Sequence, residues 1–275
     1  MIRYSDTLRI APRPRDLPLG GGLRAAIWDQ RRPLAPDSAE LLYGVIVQVA
    51  SDCFATDMSP YWQGKARNDY LERVTRFFVV GDAGDRPVGI AAYHRLTLGQ
   101  RRCLYWDATA VVPDMQRSGV LKKLIAWTMI EELARNRLGE VFLTWRTESP
   151  TVYYGFRRFL EQTSLYPSME RSPPPLIREV AADVAGWLGQ ADKLVPDTLR
   201  IANAFDGPCP WRWTRDLEEL PACHADCPDP SINEFFRRQL RPEDTFLLVS
   251  RLDLRGVGAM VGRIARSLWR RRAGA

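Results

Sequence analysis

Lysine is scarce in this chain. It stands only at 65, 122, 123 and 193, so arginine supplies nearly all of the positive charge behind the net +6. That modest balance favours anionic ligands without choosing among small phosphate-bearing molecules, membrane surfaces and nucleic acid. No RRM, zinc-finger or comparable signature accompanies it, so nucleic acid is not an expected partner. Long apolar runs are missing as well. No stretch reaches 18 uncharged apolar residues, and nothing in the sequence reads as a bilayer span. The opening Met1-Ile2-Arg3-Tyr4-Ser5-Asp6 lacks the apolar core of a signal peptide. The five cysteines are odd in number and irregularly spaced, which suits reduced thiols, and a cytoplasmic location is the expectation.

The chain has 275 residues with a 45% apolar share, ample for a globular core and one domain with additions. Its most informative stretch is Val111-Val112-Pro113-Asp114-Met115-Gln116-Arg117-Ser118-Gly119-Val120-Leu121-Lys122-Lys123-Leu124. An apolar strand enters a turn with a glycine and an apolar helix follows at once. The first N–H groups of such a helix lack intrahelical partners, and with the helix dipole they form a seat for phosphate. Lys122 and Lys123 lie in the first helical turn, where the dipole disfavours cations unless an anionic ligand sits there.

Around this loop the chain divides into five stretches. Residues 1–36, with five prolines and Gly20-Gly21-Gly22, read as an irregular N-terminal arm. In residues 37–166, Ser38 is a helix cap ahead of an apolar face of Leu41, Leu42, Val45, Ile46 and Val49. A polar loop with Pro60, Tyr61 and Trp62 precedes a second helix over 65–76. A hairpin pairs 77–80 with 88–98, 103–112 is another strand and 119–136 a long helix. A buried strand at 140–145 leads into Ser149-Pro150, the cap and first turn of one more helix. Residues 167–240 read as an irregular insertion, 241–255 as the closing strand of the core, and 256–275 as a basic amphipathic helix. That helix suits either docking on protein or subunit, or an anionic membrane surface. Cys209, Cys223, His224 and Cys227 could be counted as four ligands, but Cys-x13-Cys-His-x2-Cys is not a paired zinc-site spacing, and no metal is expected.

The pattern Gln116-x-x-Gly119-x-Leu121 resembles the pyrophosphate loop of the GNAT N-acetyltransferase superfamily, usually Gln/Arg-x-x-Gly-x-Gly/Ala. The order helix, helix, strand, strand, strand, helix, strand, helix over residues 38–166 is similar to that superfamily too. Leu121 departs from the usual small residue, and Gly-Val-Leu resembles a variant in relatives of the enhanced-intracellular-survival acetyltransferases.

The resemblance implies an α+β fold with a mixed, mostly antiparallel sheet flanked by helices. It implies acetyl-CoA or another acyl-CoA as co-substrate and an amine as acceptor. Gln116, Arg117, Ser118, Gly119, Val120, Leu121 and Lys122 would hold the diphosphate, and the main chain of Ala110, Val111 and Val112 the thioester arm. Ser149 stands where many relatives carry an Asn that touches pantetheine. Phe156 stands at the usual acid tyrosine, leaving Tyr153, or else Tyr154, to protonate the departing thiolate; both could instead simply pack.

Side chains 105, 107, 109 and 111 share one face of their strand. Asp107 is the only carboxylate on that face and the first candidate for general base, with His94 the second; a structural role is open for each. The acceptor would lie between the 51–62 loop and the 167–240 insertion, where Asp52 and Asp57 could pair with a cation. The leading expectation is an acyl-CoA-dependent N-acyltransferase acting through a ternary complex on an amine of a small molecule or peptide. The alternatives are a GNAT-shaped binder without turnover, or different acyl-thioester chemistry on the same fold.

Overall fold

The computed structural model describes residues 2–29, 34–66, 69–116, 118–136, 139–160, 164–204, 226–241 and 243–253, together with Gly258 and Gly262. Among these, one compact unit is built on residues 2–95 and 105–120, and a second on 96–104, 121–204 and the described residues from 226 onward. The fold is mixed α and β, with a mostly antiparallel sheet and flanking helices.

The first unit begins with a short helix, α1 (Tyr4–Thr7), and a hairpin of β1 (Arg15–Gly20) and β2 (Leu23–Asp29). This corrects the irregular arm expected for residues 1–36. Pro12, Pro14 and Pro18 sit before or on the exposed strand β1, where a missing N–H is tolerated. Gly20, Gly21 and Gly22 all take positive φ at the turn, a conformation open to residues without a Cβ. β2 is then free to be apolar: Ala25, Ala26, Ile27 and Trp28 are buried. It pairs antiparallel with β3 (Arg76–Gly81), with Ile27 opposite Phe78.

Between β2 and β3 run α2 (Pro36–Phe54), α3 (Ser59–Ala66) and α4 (Tyr70–Arg73). α2 starts three residues earlier than a cap at Ser38 implies, because Pro36 takes the first helical position behind Ala35 and needs no N–H there. Leu42, Val45, Ile46 and Val49 form its buried stripe as the spacing predicts. Residues 59–66 are helical rather than a loop, and the helix expected over 65–76 reduces to the single turn α4. Asp57 accepts the Ser59 N–H at 2.9 Å where α3 begins, and the Tyr43 hydroxyl accepts the Leu71 N–H at 3.3 Å, tying α4 to α2.

β3 and β4 (Pro87–Leu98) form the expected hairpin, and β5 (Arg101–Val111) adjoins β4. On one face of this sheet Phe78, Tyr93 and Trp106 pack together, with Phe78 and Trp106 stacked at 6.2 Å. His94, Tyr105 and Asp107 alternate onto the opposite face.

In the second unit the first residues of β5 neighbour β6 (Val141–Thr147), where the Thr144 hydroxyl donates to the Leu104 carbonyl at 3.3 Å. α5 (Val120–Arg135) precedes β6 and α6 (Pro150–Phe159) follows it. β10 (Thr245–Leu252) returns antiparallel to β6, with Leu248 opposite Trp145, at the place read as the closing strand. The stretch read as an insertion is more regular than its sequence implies. It carries β7 (Leu165–Tyr166), α7 (Pro175–Trp187), β8 (Leu194–Val195), β9 (Arg200–Ile201) and α8 (Pro230–Gln239). β7 and β9 both pair with the far edge of β10, and β8 pairs with β9. Buried Asp244 holds this corner: it takes the Arg200 guanidinium at 2.6 Å and the main-chain N–H groups of Asn203 and Arg241.

Among the described residues no helix is long and apolar enough to cross a membrane. The basic C-terminal helix expected over 256–275 lies outside the described residues apart from Gly258 and Gly262, as do Cys209, Cys223 and His224. Among the described residues no group of three or more His, Cys, Asp or Glu could hold a metal ion.

Candidate active site

β5 brings the chemistry together through its period of two. Tyr105 and Asp107 leave the sheet on the face that carries His94 from β4, and the helices α3 and α4 bring Lys65, Tyr61 and Tyr70 to the same residues. Asp107 Oδ2 lies 3.6 Å from His94 Nε2 and 3.7 Å from Lys65 Nζ, with Asp107 and His94 side chains each only 11% exposed. The two candidate bases of the sequence are therefore neighbours. His94 also leans on the Tyr105 ring at 6.3 Å.

Lys65 and Tyr70 are the residues that sequence reasoning missed. Lys65 Nζ lies over the Tyr70 ring at 4.8 Å and the Tyr61 ring at 5.6 Å, so two aromatic faces and one carboxylate surround a primary ammonium. Such π-faces attract a cation by roughly 0.5–2 kcal/mol each. Tyr61 and Lys65 are four apart on α3, the spacing at which helical side chains meet. A lysine in an arginine-rich chain, four residues after one tyrosine and five before another, is the signal that marks the place. The Tyr70 hydroxyl is buried without a hydrogen bond of good geometry. Its phenol is held well above the usual value, by burial first and by the Asp107 charge next.

The loop after β5 is braced from within. A single 3-10 turn spans Pro113–Met115, and the Gln116 side-chain amide donates to the Val111 carbonyl at 3.0 Å and approaches Cys53 Sγ at 3.9 Å. Gln116 thus holds the strand end against its own turn. The Val112 N–H donates to the Val88 carbonyl at 3.0 Å. By the alternation of an antiparallel pair, the main-chain groups of Ala110 and Val112 face β4 and those of Val111 face the other way. Of the three residues assigned to the thioester arm, only Val111 turns its amide away from the β4 ladder.

Gly119 adopts φ +85°, and a Cβ built on it meets no protein atom within 4 Å. The torsion, rather than crowding from the protein, calls for glycine here. The Val120 N–H donates to Ser118 Oγ at 3.4 Å, so the serine hydroxyl covers the first amide of α5. Leu121 is half-buried and Lys122 exposed on the first turn of α5. Arg117 lies outside the described residues.

α6 places the remaining pair. Ser149 caps it, its Oγ accepting the Val152 N–H at 3.3 Å, so this hydroxyl already serves the backbone. Tyr153 is 2% exposed and packs edge-on against Phe236 at 5.5 Å. Its hydroxyl donates to the Pro167 carbonyl at 2.9 Å, and burial pushes the phenol up to about 12. With its one proton committed inside the core, Tyr153 does not present the acid that the resemblance implies. Tyr154 meets Arg158 on the exposed side of the helix, where the guanidinium donates to its hydroxyl at 3.1 Å. Asp52 and Asp57 are both exposed.

Residues 46–154 match the family model described as the acetyltransferase (GNAT) family. No curated protein matches the chain. Among solved structures, a GNAT family N-acetyltransferase from Escherichia coli in complex with CoA is 19% identical, with coverage of 50% of this chain and 69% of that one and a TM-score of 0.32. A GNAT family acetyltransferase from Brucella melitensis in complex with acetyl-CoA is 17% identical, covering 43% and 74%, with a TM-score of 0.29. Spermidine N-acetyltransferase from Vibrio cholerae in complex with CoA and spermine is 14% identical, covering 50% and 79%, with a TM-score of 0.32. The stretch that matches the family model contains β5, the Gln116–Gly119 loop, the start of α5 and the His94–Asp107–Lys65 cluster, so residues 46–154 are similar to a GNAT acetyltransferase domain.

Proposed function

We propose that this protein transfers an acyl group from acyl-CoA, acetyl-CoA in the simplest case, to a primary amine by direct attack in a ternary complex. The observation that carries the reading is the half-buried Asp107 carboxylate, with His94 at 3.6 Å, on the strand that leads into the Gln116–Gly119 loop. An alkylammonium must lose a proton before it attacks, and a carboxylate paired with an imidazole provides a path for it.

CoA itself would lie along the C-terminal half of β5. Its diphosphate fits the Gly119 amide and the first turn of α5, where Leu121 contributes its N–H and Lys122 a charge. The pantetheine arm would run back from Val111 toward Asp107, four residues and about 13 Å of strand, a span that the extended arm covers. The thioester carbonyl would then lie beside the proposed base. The nucleophile's proton passes to Asp107 and on to His94. The thiolate leaves as a tolerable leaving group and takes its proton from water, since Tyr153 is engaged elsewhere.

Supporting this reading over a binder without turnover is the half-buried pairing of two titratable groups beside the proposed donor groove, a costly arrangement for a scaffold. The test measures acetyl-CoA binding by calorimetry and thiol release with a panel of primary amines, for the full chain and Asp107→Asn. Retained binding with a loss of kcat/KM of about a hundredfold or more supports the base assignment. Unchanged turnover in the variant removes Asp107 from the chemistry, and no acetyl-CoA binding at all removes the transferase reading.

A further inference from the structure

We propose that Lys65 is a self-acylation site: without an external acceptor, its amine receives the acyl group of bound acyl-CoA. The inference rests on the transferase reading above and adds to it a nucleophile within the chain. Lys65 has the chemistry an acceptor must have, a primary amine on a flexible alkyl stem. Its Nζ is placed where an acceptor amine is needed, 3.7 Å from Asp107, with Tyr70 and Tyr61 shaping the cage around it. The side chain is 28% exposed, sheltered enough to be oriented and open enough to move.

The step balances without any further reagent. The Lys65 ammonium gives a proton to Asp107, which relays it to His94 and then to water. The freed amine attacks the thioester carbonyl carbon, a C–N bond forms and the C–S bond breaks, and the departing thiolate takes the second proton from the new amide nitrogen. The products are an Nε-acyl-lysine, CoA and one proton.

Acylation has a consequence for the site. It removes the cation that lies beside Asp107 and replaces it with a neutral amide, so the carboxylate loses an ion-pair partner and the tyrosine pair loses its charge. The cage is then occupied by a group that can no longer act as nucleophile.

The scarcity of lysine makes the experiment clean. The full chain is incubated with acetyl-CoA and no amine, and acetyl occupancy at Lys65, Lys122, Lys123 and Lys193 is followed by peptide mass spectrometry. Heat-denatured protein gives the purely chemical rates. Labelling of Lys65 at least about tenfold faster than Lys193 in folded protein, equal rates after denaturation, and a fall of about a hundredfold at Lys65 in Asp107→Asn are the expected results. Acetyl-CoA binding by calorimetry with Lys65 labelled no faster than Lys193 overturns the self-acylation and leaves the transferase reading standing. Loss of acetyl-CoA binding itself overturns both.

Discussion

Individual residues here are constrained by torsion, proton ownership and neighbours. Gly119 is the sharpest case. At φ +85° a side chain costs about 1–2 kcal/mol in backbone strain whether or not there is room for it. Gly119→Val is expected to lower stability by that amount in urea titration and to abolish acetyl-CoA binding in calorimetry; full-affinity binding would detach the loop from CoA. Tyr153 makes the opposite case, a residue that looks catalytic by position and is structural by bonding. Removing its hydroxyl in Tyr153→Phe loses the bond to the Pro167 carbonyl, worth about 1 kcal/mol. Acyl transfer should stay within about twofold of the parent, well short of the effect of removing a general acid; steady-state kinetics at neutral pH decide it. Asp107 and His94 were legible as separate candidates from strand alternation, while their 3.6 Å separation follows from the register between β4 and β5.

At the scale of elements, local rules held where apolar period was strong. α2, the β3–β4 hairpin, β5, α5, β6 and β10 follow from periodicity, turn residues and capping. Proline and glycine hide regular structure in two places. In residues 15–29 they sit on an exposed strand and its turn, and β2 hydrogen-bonds to β3 along six residue pairs. Truncation of residues 1–29 should therefore leave β3 with a bare apolar edge. The expected outcome is insoluble protein or a strongly lowered thermal midpoint by circular dichroism, whereas a dispensable arm would leave the midpoint unchanged. α3 was hidden in a similar way, because Pro60 at a helix start and Tyr61-Trp62 within it read as a loop. That misreading is also why Lys65 escaped notice, since its partner Tyr61 is a neighbour only on a helix.

For the molecule as a whole, burial of neutral acids sets an upper pH limit. Burial pushes the Tyr153 phenol up to about 12 and the Cys103 thiol up to about 12. Each has a folded-state value above its unfolded value, so the folded protein holds the proton more tightly. Their contribution is fully present below the unfolded values, near 9 for the thiol and near 10 for the phenol, and is lost as pH rises through 12. Thermal midpoints should be flat up to about pH 9 and fall steeply above it, and Tyr153→Phe should soften the fall above about pH 10. A midpoint independent of pH from 9 to 11.5 would contradict the burial of both groups.

Chain order and local pattern determined α2, the β3–β4 hairpin, β5, α5, β6 and β10, the glycine of the turn before α5 and the shared face of Tyr105 and Asp107, because torsional preference and strand alternation act over a few residues. Tertiary structure alone decided that α3 lays Lys65 against Asp107, that the Tyr153 proton belongs to Pro167, and that residues 194–201 lengthen the sheet beyond β10. Those outcomes depend on which surfaces meet across dozens of residues, and the free energy of such meetings comes from packing and shared hydrogen bonds that no short window of sequence contains.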